Sequence, residues 1–291
     1  MTRHVPGPRP AAPRLDPRIV VLTRPSGSVQ LGWDPESALL VRPPIGVTPT
    51  ALADVLRMLD GRRTRAEIVW EASRVGVEPP EIEQIVAELS AAGALLPALP
   101  DPAEQTGPLP QIHVHGRGPL ADGVAAMLGA GPLRVVRTGP DHATHPPSFH
   151  RSRCVVLTDN LVPDPWTVAA LMDVAVPHLT VRLRDGRGVV GPMVLPGRTS
   201  CLRCADLTRT AADADWPHLA AQLVGRVGYA EPGTVRATVA LAANEVRVLL
   251  DADATRAPSC LDTTLEFDLR AARLRRRRWS RHPECGCSPA V

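Results

Sequence analysis

Two cysteine pairs constrain this chain more than any other feature: Cys201-Leu202-Arg203-Cys204 and, close to the other end, Cys285-Gly286-Cys287. Two short-spaced pairs brought together by a fold make a tetrahedral thiolate cage, the closed arrangement of a structural zinc. Nothing beside them supplies a water-open fourth position, so a catalytic zinc is not expected. Two disulfides are the competing reading, but a Cys-x-Cys pair is poorly placed to bridge within itself. The N-terminus lacks a charged-then-apolar export pattern, which favours a reducing compartment and therefore metal. The sequence predicts Zn2+ held by Cys201, Cys204, Cys285 and Cys287, tying the end of the chain to its middle. His282 neighbours the second pair but is not needed beside four thiolates. Cys154 and Cys260 stand alone in apolar, strand-like surroundings.

A length of 291 residues leaves room for two domains, each with its own core. No apolar stretch reaches membrane-spanning length, so a cytoplasmic protein without a membrane partner is expected. The net charge of +3 makes no case for nucleic acid. The chain contains no lysine; all 33 basic residues in the Lys+Arg count are arginine, which excludes any mechanism that needs an ammonium side chain.

Residues 1–14 are proline-rich and read as a tail. A first unit over 15–97 opens with three strand-like runs at 19–22, 29–33 and 38–41, separated by Pro/Gly/Asp turns. Three helical patterns follow. Leu52, Val55, Leu56 and Leu59 keep the spacing of one buried face; Thr64 and Glu67 form a capping-box pair; Ile82, Ile85, Val86 and Leu89 repeat the stripe after Pro79-Pro80. Three strands and three helices read as a small winged-helix domain. Residues 98–110 are a Pro-rich linker. From 111 to 291, strands at 111–115, 133–137, 154–158 and 179–183 alternate with helices, which predicts an α/β domain on a doubly wound parallel sheet.

DNA reading by the first unit is disfavoured, because its third helix carries Glu78, Glu81, Glu83 and Glu88 where phosphate would require cations. The alternative use of such a domain is capture of an extended peptide as an added strand along Leu39, Leu40, Val41 and Arg42, with Ile82, Ile85, Val86 and Leu89 on the facing helix. In the second unit, Gly116-x-Gly118-x-x-Ala121 has the form of a dinucleotide loop. The acidic ribose partner is missing, and Arg137-Thr138 stand in its place. An arginine there suits a 2′-phosphate, so an NADP-binding oxidoreductase competes with an empty turn. Thr158-Asp159-Asn160 ends a strand on the edge where open sheets place ligands. Arg275 to Arg278 form a basic run read as a solvated face.

In order, these pieces resemble a known family. Residues 111–291 are similar to the ThiF/MoeB-type, Rossmann-like fold of enzymes that activate ubiquitin-like C-termini. The resemblance rests on Gly116-x-Gly118, Thr158-Asp159-Asn160, the run Gly191 to Gly197 before Cys201-x-x-Cys204, and the terminal cysteine pair. Residues 18–96 resemble PqqD-like leader-binding domains. The fusion, with His282-Pro283-Glu284-Cys285-Gly286-Cys287 near the end, is similar to the ThiF-like proteins of azole and azoline biosynthesis. That resemblance implies a leader-peptide-binding subunit beside a YcaO-type, ATP-using cyclodehydratase, and pairing into a homodimer. Active ThiF/MoeB-type enzymes hold ATP phosphates with a lysine and an arginine from a crossover segment. Here lysine is absent and the connection from Arg137 to Cys154 is short, so Gly116, Gly118 and Asp159 are read as a degenerate nucleotide site without ATP and without catalytic residues. A working adenylyltransferase on a peptide or carrier-protein C-terminus is the main alternative.

Overall fold

The computed structural model describes residues 12–96, 108–139, 149–251 and 256–287. The chain divides into two compact units, Met1–Gly107 and Pro108–Val291. Most of the expected tail and of the expected linker lies outside the described residues.

In the first unit, short strands β1 (Arg14–Leu15), β2 (Val21–Thr23), β3 (Val29–Leu31) and β4 (Leu39–Val41) precede helices α1 (Pro49–Arg57), α2 (Arg65–Arg74) and α3 (Pro79–Ala91), and β5 (Leu95–Leu96) closes it. Arg14 belongs to β1, which pairs with β5, so the expected tail gives up its last residue to the fold. Helix starts follow local chemistry. Thr48 caps α1 ahead of Pro49, and Thr64 and Glu67 exchange the two hydrogen bonds of a capping box at α2. Strands β2, β3 and β4 form an antiparallel sheet in that order. Its inner face meets the apolar stripes of the helices in one core that includes Val29, Leu31, Leu52, Leu56, Ile68 and Leu89. Each such side chain stabilises the fold by roughly 1.5–3 kcal/mol relative to exposure.

The second unit comprises β6 (Gln111–His115), α4 (Pro119–Gly129), β7 (Arg134–Thr138), β8 (Cys154–Thr158), α5 (Pro165–Asp173), β9 (His178–Arg184), β10 (Arg187–Val194), α6 (Leu202–Ala212), α7 (Trp216–Leu223), α8 (Pro232–Leu250), β11 (Thr263–Asp268) and β12 (Arg273–Arg278). Seven strands form one sheet in the order β12-β11-β10-β9-β8-β6-β7. The pairs among β7, β6, β8 and β9 are parallel, and those among β9, β10, β11 and β12 are antiparallel. The four strands expected to form a parallel sheet do so, and β10, β11 and β12 extend it antiparallel into a mixed one. The cause is local: Asp185 and Gly186 both take positive φ (52° and 75°) between paired Arg184 and Arg187, a two-residue Asp-Gly turn that sends the chain straight back. The basic run becomes edge strand β12, exposed along its length.

Strand alternation divides the core between the two faces of the sheet. Leu179, Val181 and Leu183 join a cluster with Leu120, Val124 and Val246 from α4 and α8. Val155 and Leu157 join Leu171, Leu202 and Cys204 from α5 and α6 on the opposite face. Thr180, the register partner of Leu157, and Arg182 after it therefore face the α5/α6 side.

Candidate functional site

Cys201 precedes α6 and Cys204 lies in its first turn, while Gly286, at φ 65°, bends the C-terminal segment so that Cys285 and Cys287 return to them. The four Sγ atoms lie within 4.8 Å of one another, with Cys201–Cys285 at 3.3 Å, Cys204–Cys287 at 3.4 Å and Cys201–Cys204 at 3.8 Å. A Zn–S bond of about 2.3 Å implies tetrahedral S–S edges of about 3.8 Å, which this set matches. Burial pushes the Cys285 and Cys287 thiols up, Cys287 to about 11. At Cys204 burial acts the same way but is outweighed by the backbone N–H of His282, 3.3 Å from Sγ, and by neighbouring donors, which bring it to about 7. Four crowded sulfurs cannot all ionise without a cation among them. His282 Nδ1 instead accepts from the Glu284 N–H at 3.3 Å, and no other His, Asp or Glu joins the cluster among the described residues. The donor set fits a closed, structural Zn2+ site.

The glycine loop has a different content. Gly116 and Gly118 take φ of 148° and 141°, where a side chain is strained. A Cβ at Gly116 would lie 2.2 Å from Thr158 Oγ1, and one at Gly118 2.6 Å from Asp159 Oδ1. Asp159, only 1% exposed, accepts the N–H of Leu120 at 3.1 Å and of Ala121 at 3.0 Å. Those are the first-turn amides of α4, the donors a dinucleotide phosphate would use. A carboxylate of the chain itself occupies them. Arg137, read in the sequence as suiting a 2′-phosphate, pairs with Asp122 at 2.5 Å. Residues 140–148, within the short connection to Cys154, lie outside the described residues.

At β4 the sheet of the first unit ends, and among the described residues no strand covers its outer edge. Leu39 and Val41 turn into the core. Leu40 shares the outer face with Gln30 and Leu22, and is 56% exposed. Arg42 follows, exposed. Ile82, Ile85, Val86 and Leu89, expected on the wall opposite this strand, are at most 9% exposed and belong to the core. The amphipathic stripe that suggests a binding wall in sequence is also the stripe that packs this helix.

Sequence reasoning missed a third feature. A cavity of about 690 Å³ opens on the α5/α6 side of the sheet, with Arg182 from β9, Asp206 and Arg209 from α6 and Trp216 from α7 in its lining. The signal in the sequence was an arginine inside the strand-like run from His178 to Leu183.

No family model matches the chain, and no curated protein matches it. Its fold is nonetheless a known one, an α/β architecture shared with solved heterocyclase and MccB structures. The heterocyclase TruD superimposes at a TM-score of 0.66 and 19% identity over 96% of this chain and 43% of its own. A heterocyclase in complex with substrate and cofactor gives 0.66 at 17% identity, over 96% and 40%. The E. coli MccB structure with ATP gives 0.60 at 11% identity, over 95% and 99%, and MccB, a microcin C7 biosynthetic enzyme, bound to N-formylated MccA gives 0.60 at 10%. This chain thus spans about two-fifths of the heterocyclases' length. At these identities the likeness is one of fold.

Proposed function

We propose that this protein is a zinc-stabilised recognition subunit that captures the leader of a ribosomally made precursor peptide and presents the peptide to a YcaO-type cyclodehydratase for azoline formation. The first unit is read as a PqqD-like winged-helix domain. An extended leader adds to β4 through backbone hydrogen bonds, with side chains settling around Leu40 and Arg42. Tethering raises the local concentration of the peptide's modifiable part without any chemistry by this chain. The observation that carries the reading is the edge of β4, uncovered among the described residues, beside an outward-facing Leu40. The fold shared with a substrate-bound heterocyclase and with MccA-bound MccB supports it. The absent lysine and the amides filled by Asp159 support a subunit that leaves phosphoryl chemistry to its partner.

An adenylyltransferase is the second reading, favoured by likeness to MccB over 99% of that chain. Fluorescence anisotropy with the labelled leader encoded nearest this protein separates the two. Leu40→Pro is expected to weaken binding at least about tenfold while far-UV circular dichroism stays unchanged, and Leu40→Ala to weaken it less. Unaltered affinity in both variants refutes capture at β4. Peptide-dependent pyrophosphate exchange with ATP would establish the enzyme instead.

A further inference from the structure

The cavity beside β9 contains a charge that nothing among the described residues answers. Arg182 is 7% exposed, lines the cavity, and makes no hydrogen bond or ion pair among the described residues. Its neighbours are matched. Arg184 bonds Glu266 at 2.5 Å; Arg209 bonds Asp206 at 2.7 Å and lies between the rings of Trp216 and Trp279, at 5.0 and 4.6 Å. Arg277 is exposed and stacks on Trp279 at 4.3 Å. Burial first, then Arg209 and Arg184, push the Arg182 guanidinium down to about 10, with Asp206 and Glu266 acting the other way, so it stays charged at neutral pH. A buried, unpaired cation is costly to the folded state and is retained where a ligand completes it.

The balance of charge in the lining selects the ligand. One buried positive charge remains after pairing, while Asp185, Asp206 and Asp213 also line the space. A triphosphate would set several negative charges against those carboxylates, and the lining guanidiniums without a carboxylate partner among the described residues are two, buried Arg182 and exposed Arg277. A single carboxylate matches the surplus and fits the planar fork of arginine bidentately. The cavity is far larger than a carboxylate, and Leu161, Val162, Leu202, Leu223 and Tyr229 give the remainder an apolar and aromatic wall suited to neighbouring peptide side chains. We propose that this cavity is a peptide subsite in which Arg182 receives one carboxylate, from an acidic side chain or a C-terminus, of the peptide held by this protein. The metal site belongs to the same design: α6, whose first turn carries Cys204, supplies Ala205, Asp206 and Arg209 to the cavity wall.

The proposal rests on the peptide-recognition reading, but its test uses another unit and other residues. The probes are a blocked leucyl-alanyl-glutamyl amide, its glutaminyl counterpart, a blocked leucyl-alanyl-leucine with a free C-terminal carboxylate, and ATP. Each is titrated into the full chain while Trp fluorescence is followed, since Trp216 lines the cavity. The glutamyl amide or the free acid is expected to bind at least about tenfold more tightly than the glutaminyl amide. Which of the two does so identifies the source of the carboxylate. Arg182→Gln should abolish the preference and Arg182→Lys retain part of it. Arg182→Met without ligand should melt about 2–4 °C higher than the parent, because an unanswered charge is removed. Equal binding of glutamyl and glutaminyl probes together with no gain from the free acid, ATP binding through Arg182 with none of the peptides, or a lower melting temperature for Arg182→Met would each overturn the proposal. Arg182-dependent probe binding alongside leader affinity indifferent to Leu40 would keep the subsite and remove the β4 reading.

Discussion

The glycine loop and the Arg182 cavity are two polar sites on one sheet, and they are opposites. At the loop the backbone donors that a motif promises to a ligand are taken by Asp159, whose two oxygens accept from Leu120 and Ala121. At the cavity a guanidinium that no motif announces is buried without an acceptor among the described residues. A spacing pattern reports the backbone shape a segment must adopt, here glycines pressed against Thr158 and Asp159. It does not report whether the resulting donors are free. The useful question is which buried polar groups remain unanswered once the chain has folded.

The cysteine cluster offers the strongest way to break this contrast, because it lies at the start of α6, the helix on the cavity side. Stripping metal with a chelator, or Cys204→Ser, should lower the melting temperature of the second unit by about 10 °C or more and abolish probe binding at Arg182. Calorimetry with metal analysis checks both. A folded, metal-free chain of unchanged melting temperature would remove zinc from the account.

Asp159→Ala acts on the other site and should cost about 3 kcal/mol in urea denaturation, since it leaves two first-turn amides of α4 without their acceptor. The same variant should acquire weak binding of inorganic phosphate that the parent lacks. Should the parent itself bind phosphate at this loop, Asp159 does not close it and the contrast fails.

His178 sharpens the comparison within a single strand. It is fully buried, and burial drives its imidazole down to about 4, against a weaker upward pull from the Val176 carbonyl. Histidine escapes a buried charge by discarding its proton; Arg182, four residues on, keeps its own. The unfolded chain protonates near 6.5, so below that pH it binds the proton that the folded chain refuses. Stability present above pH 6.5 is then lost as pH falls toward 4, by up to about 3 kcal/mol. Urea midpoints at pH 7 and pH 5 should differ by less in His178→Gln than in the parent. Equal differences would show that His178 takes up its proton in the folded state too.

Much of the architecture was written locally. Thr64 and Glu67 announced the start of α2, and the stripe of Ile82, Ile85, Val86 and Leu89 announced α3, because caps and periodicity act over a few residues. The same stripe does not announce function, since one pattern serves packing and recognition alike. The antiparallel half of the sheet was legible in Asp185-Gly186, a turn signal that the expectation of a parallel sheet passed over.

The sequence by itself determined that four cysteines would serve one centre, because thiolate spacing is a local property and their number suits one tetrahedral ion. It also determined, through the absence of lysine, that no ammonium side chain is available to any chemistry of this chain. Only the tertiary structure decided that Asp159 fills the amides of α4 and that Arg182 is left facing a cavity. Each of those outcomes depends on groups far apart in the chain, and the cost of a buried charge is set by what surrounds it in space.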